Sequence, residues 1–366
     1  MNAQRHLAEL RITAHRLAAP TAATPAEAAA QLATAQGQHL GGVMASIAQR
    51  TRGGTYAGVA EAFGRGELVR GYPMRGTVFA VSADDLAWQT ALTSERQLRA
   101  AEKRRRAHGL DDLVDLAADV ARATIHAAQS EAASKAALAE AWGRAGIPTD
   151  DGRTYHLVFT LMARGDLAYG PIDAGEQLVV DAETWLPESG TLEARFNGSV
   201  DDALANWLRT YLESHGPATF RDFAWWTKLP LTQIRRVAAA ATAGLEQYGD
   251  LDGEPLWGRV GLEDEHRELG TATLRRGRLL APFDELVLGY ADRTFIIRPE
   301  HHPQLVPGNN GVFKNGLLRG GEIVGTWSAK RRAAGDELVA TPFGAALSAT
   351  ALREFERGFA AYPHPS

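Results

Sequence analysis

Phe220-Arg221-Asp222-Phe223-Ala224-Trp225-Trp226, then Thr227-Lys228-Leu229-Pro230, then residues 232–241, is the stretch on which the architecture turns. Its apolar positions recur at helical spacing on both sides of a short Lys-Leu-Pro break, so two helices meet at a tight turn. Upstream, residues 200–212 read as a helix that ends at Gly216-Pro217. Downstream, residues 245–248 and Leu256-Trp257 have the spacing of a small hairpin. Helix, turn, helix, hairpin is the outline of a winged helix, a helix-turn-helix variant that usually meets nucleic acid.

The outline recurs twice toward the N-terminus. Residues 3–36 predict two helices, the first on Leu7, Leu10, Ala14 and Leu17. The second opens at Thr24-Pro25-Ala26-Glu27, an N-cap with proline at the first helical position and an early acid. Another helix starts at residues 43–49 after Gly41-Gly42, and short strands follow at Leu68-Val69, Tyr72-Pro73-Met74 and 78–81, with glycine corners at Gly71 and Gly76. In the middle of the chain, residues 131–142 and 155–162 predict helices, and 167–169 with 177–180 a hairpin around residues 170–175. The copies share no close residue identity, so the repeat is one of architecture. Between the first two lies a long helical stretch, 84–129.

After Gly270 the texture becomes β. Residues 271–274, 279–280, 295–297, 316–318, 322–327 and 337–340 are short segments punctuated by Gly, Pro and Asn, as in a small barrel. Residues 345–361 predict a closing helix, and 362–366 a frayed tail. The expected fold class is α+β, with three tandem winged helices and a small C-terminal β-barrel. The domains are placed at 1–83, 84–190, 195–268 and 269–366, the second including the long helical segment.

Composition sets bounds on function. At 366 residues the chain exceeds the ~250–300 at which single cores split. It has no cysteine, which excludes disulfide frameworks, zinc ribbons, Fe–S clusters and thiol nucleophiles. No apolar stretch reaches the ~20 residues of a membrane span, and the polar start 1–11 is not a signal peptide, so a soluble, cytoplasmic protein without membrane association is expected. The 39 Lys+Arg against 44 Asp+Glu give a net charge of −5, which argues against a uniformly basic DNA coat but not against local basic patches.

Most catalytic signatures are missing. There is no G-x-S-x-G, Walker loop, H-E-x-x-H or kinase set. His301-His302 stands in a turn-like stretch with neither carboxylate nor third histidine at ligand spacing, so no metal or cofactor is expected. Gln36-Gly37-Gln38 has two readings: a solvated helix end, or two amides aimed at one cavity. In a regular helix positions i and i+2 diverge by about 200°, but Gly37 and Gly41-Gly42 let the chain leave that geometry. Two convergent amides offer donors and acceptors without charge, which suits orienting a water. The run Arg96, Arg99, Lys103-Arg104-Arg105-Arg106 is either a salt-bridged face, with Glu95 and Glu102 interleaved, or a phosphate contact. Arg235-Arg236, Arg275-Arg276-Gly277-Arg278 and Lys330-Arg331-Arg332 carry the same two readings, and Trp225-Trp226 reads as core plus rim or as a stacking platform.

Four landmarks carry a resemblance. They are Ala35-Gln36-Gly37-Gln38; Gly66-Glu67-Leu68-Val69-Arg70 with Met74-Arg75-Gly76-Thr77; Ala281-Pro282-Phe283-Asp284; and Gly325-Thr326-Trp327. In this order, over nearly the whole length, the chain resembles the AlkZ/AlkX-like tandem winged-helix DNA glycosylases and is most similar to the AlkZ self-resistance branch of antibiotic producers. The resemblance implies three winged helices around a concave DNA channel, a C-terminal β-barrel, and monofunctional excision of N7-alkylated purines, crosslinked ones included. It implies catalytic roles for Gln36 and Gln38, since that branch carries Gln, a mostly apolar residue, then Gln; relatives outside it often have Asp where Gln38 stands. Gly37 departs from the bulkier middle residue, and Phe79 stands where many relatives have His.

The implied partner is double-stranded DNA with alkylated purines, bound by a monomer for base excision repair or antibiotic self-resistance. Arg75, Arg104, Arg105, Arg235 and Arg236 are assigned to phosphate contacts. Two alternatives stand beside this reading. A winged-helix transcription regulator would bind duplex DNA as a dimer without catalysis, though no heptad seam or dimerisation helix is evident. A sequestering protein would bind the free alkylating drug without releasing a base.

Overall fold

The structure, a computed structural model, describes residues 3–309, 311–332 and 335–365. Met1 and Asn2 of the polar start and Ser366 of the tail lie outside the described residues. The chain forms two compact units, one of residues 1–57 with 205–366, the other of residues 58–204. No helix among the described residues is long and apolar enough to cross a membrane.

In the first unit, Thr24 caps the helix Pro25–Gln31 by accepting the Glu27 N–H, as the sequence predicts. The decisive stretch folds as read. Thr219 and Asp222 close a reciprocal capping box at the start of helix Phe220–Thr227. Lys228, in the left-handed region, ends that helix, and Leu231–Thr242 follows. The hairpin Leu245–Leu251 with Glu254–Arg259 completes this helix-turn-helix segment. Residues 271–274 were expected as a strand; they are the end of helix Leu262–Leu274, which kinks at Gly270. The β-prone Thr-Ala-Thr segment is thus overridden by continuation of the preceding helix.

The C-terminal part corrects the expected barrel. Its strands form an open four-stranded antiparallel sheet, in the order Glu337–Pro342, Glu322–Lys330, Gly316–Arg319, Arg278–Leu280. Residues 271–274 and 295–297 supply no strands, leaving too few for closure. Helix Ala349–Ala360 covers the apolar face instead, setting Ala351, Phe355 and Phe359 against Leu279, Leu317 and Trp327. Each buried phenylalanine contributes roughly 1.5–3 kcal/mol. The tail is packed rather than frayed up to His364, with the Tyr362 ring 4.8 Å from that of Trp327.

In the second unit, two hairpins join into one antiparallel ladder through Arg70 opposite Tyr169. The hairpin strands are Leu68–Met74 with Thr77–Ser82, and Leu167–Asp173 with Glu176–Asp181. The second hairpin turns at Ala174-Gly175 alone, not over residues 170–175. Three hairpin tips share one geometry across the chain: Arg75-Gly76 (φ 57° and 64°), Ala174-Gly175 (46° and 82°) and Asp252-Gly253 (52° and 77°). Positive φ at both central residues is the type I′ signature, whose twist matches that of the strands. The long helical stretch breaks at Gly109 into Ala83–Ala107 and Val114–Ala127. A core around Trp142, Leu157, Leu161 and Ile125 holds the helices of this unit together.

Candidate active site

Gln36 and Gln38 lie outside any helix. Gln36 ends the two-residue strand Ala35–Gln36, and helix Leu40–Arg50 starts only after its cap, His39, whose Nδ1 accepts the Gly42 N–H at 2.9 Å. Extended chain has a side-chain period of two, so i and i+2 share a face. The amides accordingly meet: Gln36 Nε2 donates to Gln38 Oε1 at 3.3 Å. Gln36 is buried, 5% exposed, whereas Gln38 is exposed.

Beneath this pair lies a carboxylate that the sequence reading passed over. Glu285 Oε1 accepts the backbone N–H of Gln36 at 2.6 Å, and its Oε2 accepts the Trp226 indole N–H at 3.0 Å. Glu285 is 1% exposed. Its neighbour Asp284 fixes the other end of the segment. Arg50 donates to both oxygens, at 2.8 and 2.9 Å, and the Ser46 hydroxyl and Leu286 N–H add further bonds. Burial raises the Asp284 pKa, but the Arg50 charge and these bonds outweigh it and hold the carboxyl below its ordinary value. Gly42 brings the helix start against the same turn, because a Cβ there would stand 2.8 Å from Pro282 Cγ and 2.9 Å from its carbonyl oxygen.

A sequence profile described as DNA glycosylase AlkZ-like matches residues 29–363, nearly the whole chain. The chain belongs to the AlkZ-like DNA glycosylase family. It is 27% identical over 143 residues to an interstrand DNA cross-link repair glycosylase of Streptomyces sahachiroi, a match spanning 39% of this chain and 38% of that protein. Its fold is similar to that of the Streptomyces sahachiroi DNA glycosylase AlkZ, with a TM-score of 0.73, 18% identity, and coverage of 97% of this chain and 94% of that one.

The AlkZ-like landmarks therefore have distinct physical jobs in this chain. Ala281–Asp284 is the turn that receives the start of helix Leu40–Arg50 and leads into Glu285, while Gln36-Gly37-Gln38 supplies the amides. Phe283 in that turn has φ 61°, an outlier for an aromatic residue, held by surrounding contacts. In Gly325-Thr326-Trp327, Trp327 donates its indole N–H to Leu280 O at 2.9 Å.

Deeper in the same unit, His15 Nε2 is 3.0 Å from the Tyr290 hydroxyl, which donates to His215 O at 2.7 Å. Burial lowers the pKa of both histidines; His215, Arg50 and Arg11 push His15 further down, and Glu285, 3.8 Å from His215 Nε2, opposes the shift of His215.

The assigned basic residues are dispersed. Arg75 is at a hairpin tip with its guanidinium 5.0 Å from the Phe79 ring centre. Arg104 is exposed, whereas Arg105 is paired with Asp111 at 2.5 Å. Arg235 shares Glu254 with Arg221, and Arg236 is exposed on the same helix. The two tryptophans divide the work: Trp226 points inward to Glu285, and Trp225 stacks with Lys228 and Arg293 at 4.7 and 4.8 Å. Arg293 also donates to Val287 O at 2.8 Å, two residues on from Glu285. The signal for Glu285 was present: two adjacent acids, Asp284-Glu285, inside the apolar run 279–290.

Proposed function

We propose that this chain is a monofunctional DNA glycosylase that hydrolyses the N-glycosidic bond of N7-alkylguanine in duplex DNA, bulky antibiotic adducts and interstrand crosslinks included. The observation that carries the reading is the 3.3 Å convergence of the Gln36 and Gln38 amides, with the Gln36 backbone tied to Glu285. An N7-alkylguanine already bears positive charge and leaves with little acid assistance. The remaining task is to hold a water near C1′ and to favour a cationic sugar with fixed dipoles.

Gln38 Oε1, after accepting from Gln36, keeps a second lone pair with which it accepts a hydrogen bond from the attacking water and so orients it. The Gln36 dipole and the buried Glu285 carboxylate below it favour the developing oxocarbenium. Gln36→Ala or Gln38→Ala removes about 2–4 kcal/mol of barrier lowering, ~10²–10³ in rate. The three helix–hairpin segments act as winged helices on the duplex, at 1–83, 84–190 and 195–268. Arg75, Arg104, Arg105, Arg235 and Arg236 serve the phosphates, and the chain acts as a monomer in base excision repair or self-resistance.

The test is a duplex with one N7-alkylguanine, treated with alkali after incubation to cut any abasic site. Strand cleavage that disappears in Gln36→Ala and Gln38→Ala supports the reading. Equal cleavage by the double variant removes the pair from the mechanism. Tight duplex binding without cleavage of any N7 adduct favours a regulator.

A further inference from the structure

We propose that His6, Glu263 and His266 form a binding site for a divalent transition-metal ion, zinc fitting best, separate from the glutamine pair. Glu263 and His266 stand three residues apart on helix Leu262–Leu274, hence on one face, and His6 comes from helix Ala3–Ala14. One donor atom from each lies within 4.8 Å of the other two. His6 Nε2 and Glu263 Oε1 already touch at 2.8 Å.

The second observation concerns the state of His266. Its Nε2 is 3.0 Å from Oε2 of Glu9, a fully buried carboxylate whose Oε1 accepts from Arg275 Nε at 2.5 Å. A carboxylate accepts, so Nε2 carries the proton, which leaves Nδ1 as the nitrogen whose lone pair the neutral form of the ring offers to a ligand. That Nδ1 is buried without a hydrogen-bond partner, on a side chain only 9% exposed, and His6 Nδ1 lacks one too. An acceptor left so is desolvated without return. A carboxylate behind one imidazole nitrogen, with the other nitrogen free, is the outer-shell arrangement that orients metal-binding histidines.

Two imidazoles and one carboxylate suit zinc, cobalt or nickel rather than magnesium or calcium. A tetrahedral zinc ion with ~2.0–2.1 Å bonds needs donors about 3.3 Å apart, a closure that the half-exposed His6 and Glu263 side chains can make. These two residues also line a cavity of about 490 Å³, through which ion and a fourth, water ligand enter. The ion would tie the first helix of the chain to Leu262–Leu274. In sequence the set is invisible, because 257 residues separate His6 from Glu263.

The test uses the untagged full chain, stripped with chelator and titrated with ZnCl₂ by calorimetry, and with Co²⁺ by visible absorption. One equivalent is expected to bind, with the d–d bands of tetrahedral cobalt and a zinc-dependent rise in melting temperature. His6→Ala and Glu263→Gln, both at half-exposed positions, should each weaken binding at least about tenfold. His301→Ala should leave it unchanged. Binding should release protons and weaken as the pH is lowered, since protons compete with the ion for its ligands. Absence of a one-equivalent site, or binding that survives the His6→Ala/Glu263→Gln double variant, overturns the proposal and leaves two histidine–carboxylate pairs. Neither result depends on glycosylase activity.

Discussion

Glu285 Oε1 accepts the backbone N–H of Gln36 at 2.6 Å, across 249 residues of sequence, while its other oxygen holds the Trp226 indole. The contact fixes the backbone from which the Gln36 amide projects and leaves that side chain to meet Gln38. Glu285→Gln keeps the shape but gives up the charge and one of the two acceptors. Base release should fall about 10–10²-fold through misplacement of the amide, with duplex affinity unchanged. Unchanged single-turnover release would mean that Gln36 needs no support from below.

Gly42 and Gly41 should respond in opposite ways. A Cβ on Gly42 meets Pro282 Cγ at 2.8 Å and its carbonyl oxygen at 2.9 Å, whereas one on Gly41 meets the His39 ring at 3.5 Å and the Tyr56 hydroxyl at 3.6 Å, both ordinary van der Waals contacts. Gly42→Ala should push helix Leu40–Arg50 off the Pro282 turn, costing about 1–3 kcal/mol and disturbing the adjacent Gln38. Gly41→Ala should be neutral or stabilising by up to ~1 kcal/mol, as alanine replaces glycine in a helix. Urea unfolding of both variants checks this, and equal midpoints would refute it.

Much of this arrangement was legible because it is local. Thr24-Pro25, the Lys228-Leu229-Pro230 turn and the third hairpin are specified by neighbouring residues, and each lies where the sequence places it, whereas the strand Leu68–Met74 runs through the expected corner at Gly71. Gln36 and Gln38 converge because the chain there has left helical geometry and extended chain sets alternate side chains on one face. What failed depended on distant partners. Residues 271–274 have strand-forming composition but extend a helix, and the barrel dissolves because helix Ala349–Ala360 covers the sheet face. Glu285 carried no pattern beyond its burial context, since its two partners lie 249 and 59 residues away.

Arg75 occupies the first central position of a type I′ turn with φ 57°, a conformation that costs an arginine roughly 1–2 kcal/mol. Relief of that strain in Arg75→Gly offsets the lost contact with Phe79, so stability should shift by no more than about 1 kcal/mol. If the tip serves a phosphate, duplex affinity should fall for any sequence, and the slope of log affinity against log salt should shrink by about one. A variant with unaltered salt slope would show that this tip does not touch DNA.

Acid should loosen the first unit before its carboxylates titrate. His15 and His215 are both held below their ordinary pKa by burial, each beside cationic Arg50, with the Tyr290 hydroxyl at His15 and Glu285 at His215. Above pH ~6.5 both are neutral whether the chain is folded or not, so they contribute no pH dependence. As pH falls below that value the unfolded chain binds two protons that the native site refuses. Stability should then drop by as much as about 1.4 kcal/mol per pH unit for each histidine, until the folded values are reached. Asp284, held below its ordinary value, stays ionised through this window and loses its contribution only in stronger acid. The urea midpoint should therefore be flat from pH 8 to about 6.5 and decline toward 5.5, while the imidazole resonances of His15 and His215 stay constant in the native protein. A flat midpoint, or native titration of either ring near pH 6.5, would show that the pair does not resist protonation.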